Sequence, residues 1–286
     1  MEWTMAKRFV IVLLVIINVA LAGLNIQQRQ DNNMTSAQEK AIFEVLSQNG
    51  ITLYTDLNIN AAPMFRLEAK VPSYTKEELE RAFFGGEKTK VSVGSQTNYK
   101  TGTKALTMEG DRGSFSDSAI AKGRGELTKE NAVKQAERKA EELKQKFGSL
   151  ALNYVSAGED GWKVEFCGVY NGETIFSNHF SVFVSEKGIY AVTFTYCEIT
   201  GISREKKDIC MIDEALLTFM REWNKQEKSN EAAIQKIELG YDLLEQGGAA
   251  AGAGLFLEPT YRIYLMEEAK PYLVNAYTSQ IVNKEH

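Results

Sequence analysis

Residues that carry most enzyme chemistry are scarce in this chain of 286 residues. It has two histidines and three cysteines. His179 and His286 lie far apart and form no HExxH pair, so no catalytic metal centre is predicted. Three cysteines are too few and too uneven for a scaffold built on disulfides, so the fold must depend on its hydrophobic core.

Other catalytic and binding patterns are also missing. No serine lies in a Gly-x-Ser-x-Gly elbow. The glycine-rich run at residues 247–254 lacks the Lys and Ser/Thr of a phosphate loop and precedes a predicted strand, so we interpret it as a hairpin loop. The net charge of -5 and the pI near 5.4 provide no broad cationic surface for nucleic acid. We therefore predict a protein that is not an enzyme, has no cofactor and does not bind nucleic acid.

The N-terminus has one long apolar run. Residues 9–26 contain no charged side chain, follow Lys7 and Arg8, and precede a polar stretch that ends at Asp31. Eighteen helical residues cover about 27 Å, close to the thickness of the hydrocarbon layer. Because positive charge favours the cytoplasmic side, we predict a cytoplasmic stub at 1–8, a transmembrane helix at 9–26 and an extracytoplasmic remainder.

A cleaved signal peptide is the alternative for this segment. Ala20-Leu21-Ala22 before Gly23 fits a cleavage site, but the apolar run continues beyond it. Asn18 lies within the run, where a neighbouring helix could satisfy its amide. The hypothesis is that Asn18 and the small residues Ala20, Ala22 and Gly23 form a transmembrane interface, although a single Asn can also be tolerated without a partner.

The region after the anchor predicts an α+β fold with two domains, at 31–115 and 126–286, joined by a linker rich in Gly, Ser and charge at 110–125. In the first domain, helices begin after Thr35 or Ser36 and after Thr75. Short strands are predicted at 65–71 and within 91–111.

The second domain has a clearer pattern of helix and then meander, repeated once. Thr128 begins a helix that ends at Phe147, and a second helix is predicted at 209–223. Alternating residues predict six strands, near 162–166, 176–184, 190–196, 234–244, 256–266 and 272–281. This order indicates helices packed on antiparallel sheets.

The turns of the first meander fix an expected position for two cysteines. Three-residue loops at 171–173 and 186–188 would place Cys167 and Cys197 on either side of Ser177, about 9.6 Å apart. That separation is too large for a disulfide bond. We therefore expect Cys167, Cys197 and Cys210 to be free thiols.

Short motifs at both ends of the chain resemble the YycI family. They are Met1-Glu2-Trp3, Ala6-Lys7, the apolar run with Asn18, Glu238-Leu239-Gly240-Tyr241, Leu257-Glu258-Pro259, Tyr261-Arg262-Ile263 and Tyr272-Leu273-Val274-Asn275-Ala276. The resemblance implies a single-pass membrane protein of Gram-positive bacteria whose outer part folds like the later domains of YycH. It also implies association with YycH and with the sensor histidine kinase YycG, also named WalK, in cell-wall homeostasis.

Two functions are therefore expected. The first is a membrane-anchored regulator that adjusts the activity of a sensor histidine kinase together with a YycH-like partner. The alternative is an extracellular module that binds a ligand or modulates a protease, because a helix on an antiparallel meander also resembles PepSY-type domains.

Overall fold

The computed structural model describes Leu14, Asn18 and residues 32–225, 231–243, 254–266, 268 and 270–282. From residue 32 onward, these contain four helices, α1 (Ser36–Gln48), α2 (Lys76–Phe84), α3 (Lys129–Phe147) and α4 (Ile212–Trp223). The strands are β1 (Ile51–Leu53), β2 (Leu67–Lys70), β3 (Lys90–Val93), β4 (Thr97–Thr101), β5 (Lys104–Glu109), β6 (Arg112–Asp117), β7 (Ser149–Gly158), β8 (Gly161–Tyr170), β9 (Glu173–Ser185), β10 (Gly188–Thr195), β11 (Glu198–Ile202), β12 (Ala232–Leu243), β13 (Leu255–Leu265), β14 (Tyr272–Asn275) and β15 (Gln280–Ile281). The mixed α+β class, with a mostly antiparallel sheet, is as predicted.

The chain divides into two compact units that are discontinuous in sequence. The terminal unit comprises Met1–Met64, Lys206–Leu239 and Thr260–His286, and the central unit comprises Phe65–Glu205 and Gly240–Pro259. This division differs from the predicted domains at 31–115 and 126–286. The physical reason is that β6, which lies in the predicted linker, pairs along its length with β10. Residues on both sides of that linker therefore belong to one sheet.

In the terminal unit, α1 and α4 bury one apolar stripe each. Of the two predicted caps of α1, Thr35 is the N-cap, and it exchanges hydrogen bonds with Gln38 in a capping box. Helix α4 begins at Ile212 rather than at residue 209, and its N-cap, Met211, makes no side-chain capping hydrogen bond. Strand β1 pairs with β12 in parallel, whereas β14 pairs antiparallel with both β13 and β15. The core of this unit includes Ile42, Leu46, Leu216, Phe219, Ile234, Tyr261 and Val274.

In the central unit, α2 and α3 pack on one face of an antiparallel sheet. The strand order is β7-β8-β9-β10-β6-β5-β4-β3. Helix α2 begins after Thr75 as predicted, Thr75 and Glu78 form a capping box there, and the left-handed Gly85 ends the helix. Helix α3 ends at Phe147 as predicted, and it buries one stripe: Ala132, Ala136, Ala140, Leu143 and Phe147. Strand β7 was not predicted, although Leu150, Leu152 and Tyr154 alternate along it.

Aromatic rings fill the space between α3 and this sheet. The Phe147 ring meets the Phe180 and Phe194 rings edge to face, each at 5.1 Å between centroids, and Phe180 stacks on Phe194 at 5.3 Å. Gly113 lies opposite Phe194 in the next strand. A Cβ atom at that position would lie 2.2 Å from the Phe194 ring, so the packing requires glycine.

The hairpin loops of the meander contain two residues, not the three that we predicted. Asn171 and Gly172 both have positive φ, at 51° and 88°, which is typical of a type I′ turn, and Tyr170 pairs with Glu173. The second loop is likewise two residues long, because Ser185 pairs with Gly188.

The predicted register is also wrong further along this hairpin. Cys167 pairs with His179 rather than with Ser177. The register shifts after the pair of Gly168 with Ile175, which leaves three residues of β9 without partners in β8. These extra residues form a bulge.

Candidate functional site

The central sheet has a polar face on the side away from α2 and α3. Across seven adjacent strands, one row of cross-strand partners is polar throughout: Glu165, Ser181, Thr193, Ser114, Thr107, Asn98 and Ser92. Because successive side chains in a strand point to opposite faces, this row lies opposite the buried aromatic layer. The candidate site is this face, which we name the polar row.

A shallow cavity of about 290 Å³ lies over the middle of the polar row. Its polar lining includes Gln96, Thr107, Glu109, Arg112, His179 and Thr193. Gln96 Nε2 donates to Glu109 Oε2 at 2.8 Å, and Thr107 Oγ1 donates to Asn98 Oδ1 at 2.8 Å. The lining thus presents hydroxyl, amide and charged groups that suit hydrogen bonds to a polar ligand or to a protein surface.

His179 lies at one end of the cavity beside an acidic and a hydroxyl group. Its Nε2 is 3.2 Å from Ser181 Oγ and 3.6 Å from Glu165 Oε1. A nucleophilic triad requires the acid and the hydroxyl on different ring nitrogens, whereas here both approach Nε2. Ser181 is also buried, at 3% exposure. The arrangement therefore does not activate Ser181 as a nucleophile.

Glu165 is held as a carboxylate in this cluster. Burial acts to raise its pKa, but hydrogen bonds from His179 and Lys163 outweigh that effect and lower the pKa to about 2. The group is consequently charged at neutral pH and is suited to binding cations or donors rather than to proton transfer.

Asn178 lies in the β9 bulge, and sequence reasoning missed its role. Its Oδ1 accepts from the Cys197 backbone N–H at 2.8 Å, and its Nδ2 donates to the Cys197 carbonyl at 3.0 Å. The side chain thus replaces a strand in satisfying the backbone between β10 and β11. A sequence signal existed: Asn178 is the single polar residue among the predicted inward positions between Phe176 and Val184.

All three cysteines are free thiols in the structure, as predicted. Cys167 and Cys197 are buried, and Cys210 is half-buried. Burial raises the pKa of Cys197 to about 12 and that of Cys210 to about 11. These two thiols are therefore protonated and unreactive at neutral pH.

Most of the predicted anchor residues lie outside the described part of the chain: Lys7, Arg8, Ala20, Ala22 and Gly23. Asn18 is described and is helical, and its Nδ2 donates to the Leu14 carbonyl at 2.8 Å. One of its two amide donors is thus satisfied by a carbonyl four residues earlier in the chain. Within the described residues, no helix has the length and apolar character that a membrane span requires, and no cluster of three or more His, Cys, Asp or Glu side chains could hold a metal ion.

Two solved structures resemble this chain at low sequence identity. The crystal structure of an uncharacterized protein from Eubacterium rectale ATCC 33656 has a TM-score of 0.57 and 14% identity, and the match covers 83% of this chain and 92% of that one. This likeness supports the fold alone. The Bacillus megaterium YpeB C-terminal domain has a TM-score of 0.39 and 11% identity, with coverage of 72% and 92%. No curated protein matches the chain.

The comparison with protein families gives a broader result. A model described as YycI protein matches residues 29–277, which include segments of both the terminal and the central unit. The matched region is most of the chain. It includes the motifs at residues 238–276 and begins after the N-terminal motifs and the apolar run. The chain therefore belongs to the YycI protein family.

Proposed function

We propose that this protein is a single-pass membrane regulator that associates with a sensor histidine kinase of the YycG/WalK type and with a YycH-like protein. The observation that carries the proposal is the family match over residues 29–277. In this role the protein adjusts kinase activity in cell-wall homeostasis and catalyses no reaction itself. The geometry around His179, which leaves Ser181 without activation, is consistent with that role.

The membrane anchor in this proposal rests on the sequence. The apolar run at residues 9–26 is long enough to cross a bilayer, and Lys7 and Arg8 favour a cytoplasmic N-terminus. The part of the chain after Asp31, which includes the whole central unit, then lies outside the cell. Protease added to intact cells should remove this part while an N-terminal tag stays in the membrane fraction. A mature protein that begins at Gly23 would contradict the anchor.

In the proposed mechanism, the anchor packs beside transmembrane helices of the kinase. Without a hydrophobic driving force between helices in lipid, close packing of small residues and hydrogen bonds hold such contacts. The outer units then set the position or strain of the anchor helix, and through it the balance between kinase states.

Co-purification in detergent tests this proposal. A full chain and a chain that begins at Asp31 are each expressed with the kinase and with the YycH-like protein. The kinase should be recovered with the full chain but not with the shortened one. Equal recovery, or none with either, would contradict association through the anchor.

The polar row favours a second candidate function, namely an extracellular module that binds a ligand. The cavity of about 290 Å³ provides hydroxyl, amide and charged groups on one face. In that case, Thr193→Val should abolish ligand-induced changes in the thermal unfolding of the full chain, while kinase recovery stays unchanged. If kinase recovery is instead lost, the polar row serves the first function.

A further inference from the structure

Strand β7 forms one edge of the central sheet. In the described part of the chain it pairs with β8 and with no other strand, so alternate N–H and C=O groups on its outer side have no partner strand. It is ten residues long and contains no charged residue and no proline. Edge strands in natural proteins are usually short or protected by Lys or Pro, as β3 is, with four residues and Lys90.

The side chains of this edge are unusually apolar for an exposed strand. Leu152 is 46% exposed and Tyr154 is 58% exposed. A register shift between Leu152 and Tyr154 is the one protective feature, because such a bulge interrupts regular pairing. The regular segment before it, residues 149–152, remains open for a further strand.

A groove of about 350 Å³ runs beside that open segment on the α3 side of the sheet. Leu150 and Leu152 form its strand side, and the buried Phe166 belongs to its lining. Helix α3 supplies Ala140 and a charged rim of two acidic residues and one basic residue, Glu137, Glu141 and Lys144. A strand added to β7 would direct alternate side chains into this groove.

The charges of the rim indicate what kind of strand fits. Glu141 is already paired with Lys144 at 3.1 Å, whereas no described residue forms an ion pair with Glu137. A cation from outside is therefore the complement that the groove lacks. The β7 strand of a second copy does not supply it, since residues 149–158 carry no charge and Lys144 of the second α3 is paired with its own Glu141.

We propose that the outer edge of β7 binds an extended segment of a partner protein by strand addition, with an apolar residue in the groove and a basic residue two positions away that meets Glu137. Main-chain hydrogen bonds provide affinity, and the groove and its charged rim provide specificity. The proposal concerns a contact outside the membrane and does not depend on the kinase.

A labelled peptide, Thr-Lys-Thr-Val-Thr-Lys-Thr, tests it with the full chain in detergent. In a strand, its two Lys and its Val lie on one face. We expect saturable binding by fluorescence anisotropy and slowed hydrogen exchange at amides of residues 149–152. A peptide with Glu in place of both Lys should bind at least about tenfold more weakly.

Three variants locate the contact. Leu152→Lys places a charge in the groove, and Glu137→Lys reverses the sign of the charge at residue 137 of the rim. Each substitution should therefore weaken binding of the Lys peptide by about tenfold or more. Glu137→Lys should also improve binding of the Glu peptide. Val93→Lys makes the same kind of change on the β3 edge, where Val93 is 79% exposed, and should leave binding unchanged.

Several outcomes would overturn the proposal. One is that the Lys peptide does not bind the wild-type chain saturably. Another is that Leu152→Lys binds this peptide as tightly as the wild-type chain does. A third is that the peptide slows hydrogen exchange at β3 amides in place of β7 amides. Self-association of the wild-type chain that Leu152→Lys abolishes would instead assign the edge to a second copy. Loss of kinase recovery in the co-purification experiment would leave these peptide measurements unaffected.

Discussion

At the residue scale, Asn178 illustrates both what the sequence predicts and what it does not. The alternation from Phe176 to Val184 correctly predicts a strand with one buried face. It places Asn178 on that buried face but does not reveal that its amide satisfies the Cys197 backbone. The reason is that a bulge changes the register by tertiary pairing, and period-two alternation contains no information about it.

The Asn178→Ala substitution should destabilise the central unit. It leaves the buried N–H and C=O of Cys197 without partners, each at a cost of about 1 to 3 kcal/mol. Denaturant unfolding followed by tryptophan fluorescence should report this loss. Asn131→Ala, at an exposed position on α3, is the control and should change stability by less than about 0.5 kcal/mol. Equal stability of the two variants would contradict the role of Asn178.

The thiols should react slowly in the native protein and completely after unfolding. Burial protects Cys167, and the raised pKa values of Cys197 and Cys210 leave few thiolates at neutral pH. Mass spectrometry after alkylation without reduction should show three adducts in denaturant. Two missing adducts would indicate a disulfide bond. Rapid alkylation of Cys197 in the native state would contradict its burial.

At the scale of elements, the helices after residue 32 were the most predictable part of the fold. Capping boxes at Thr35 and Thr75 and the alanine stripe of α3 are local signals, and local hydrogen bonds determine where these helices begin. Strand β6 was assigned to a linker, because its polar residues form a strand by pairing with the distant β10. Strand β7, which pairs with the neighbouring β8, was missed.

Helix α2 should make stability depend on acid pH. A hydrogen bond from Lys146 on α3 lowers the pKa of Glu78 to about 2, and a hydrogen bond from the Thr89 backbone lowers that of Glu80 to about 2. Both pKa values are lower in the folded state, so this stabilisation is fully present above about pH 4.5 and is lost as the pH falls toward 2. Unfolding free energies measured across this range should decrease accordingly.

A matched pair of variants isolates this effect. Glu80→Gln should flatten the acid dependence, because its neutral amide no longer titrates. Glu77→Gln, at an exposed position on the same helix, should leave the dependence as it is in the wild-type chain. An identical pH profile for wild type and Glu80→Gln would contradict the assignment.

The anchor gives a prediction about a whole element. Replacing residues 9–26 by polyleucine of equal length should preserve insertion but weaken association with the kinase. The close contacts at Ala20, Ala22 and Gly23 and any amide hydrogen bond of Asn18 are lost, and interhelical hydrogen bonds in membranes contribute about 0.6 to 2 kcal/mol each. Because one Asn18 donor already bonds to the Leu14 carbonyl, we expect the loss to lie toward the lower end of this energy range. Unchanged recovery of the kinase would refute the interface.

At the scale of the whole molecule, the sequence predicted the fold class but not the division of the chain. The terminal unit joins residues before Met64 to residues after Lys206, with the central unit between them in sequence. Linkers are recognised by composition, and residues 110–125 have that composition although β6 lies among them. The regions on either side of a long insertion pair through contacts that no local pattern contains.

The polar row could not be predicted from the sequence for the same reason. Its residues come from seven strands, and only the register brings Glu165, Thr193 and Asn98 into one row. The sequence indicated that these strands were half polar. It could not indicate which polar side chains share a cavity.

The rate of kinase autophosphorylation in proteoliposomes tests the central proposal most directly. The kinase and the YycH-like protein are reconstituted alone, with the full chain, or with the chain that begins at Asp31. We predict that the full chain changes the rate and that the shortened chain at the same concentration does not, because regulation passes through the anchor. The same rate in all three preparations would contradict a regulatory role, and an equal change with both chains would contradict regulation through the membrane helix.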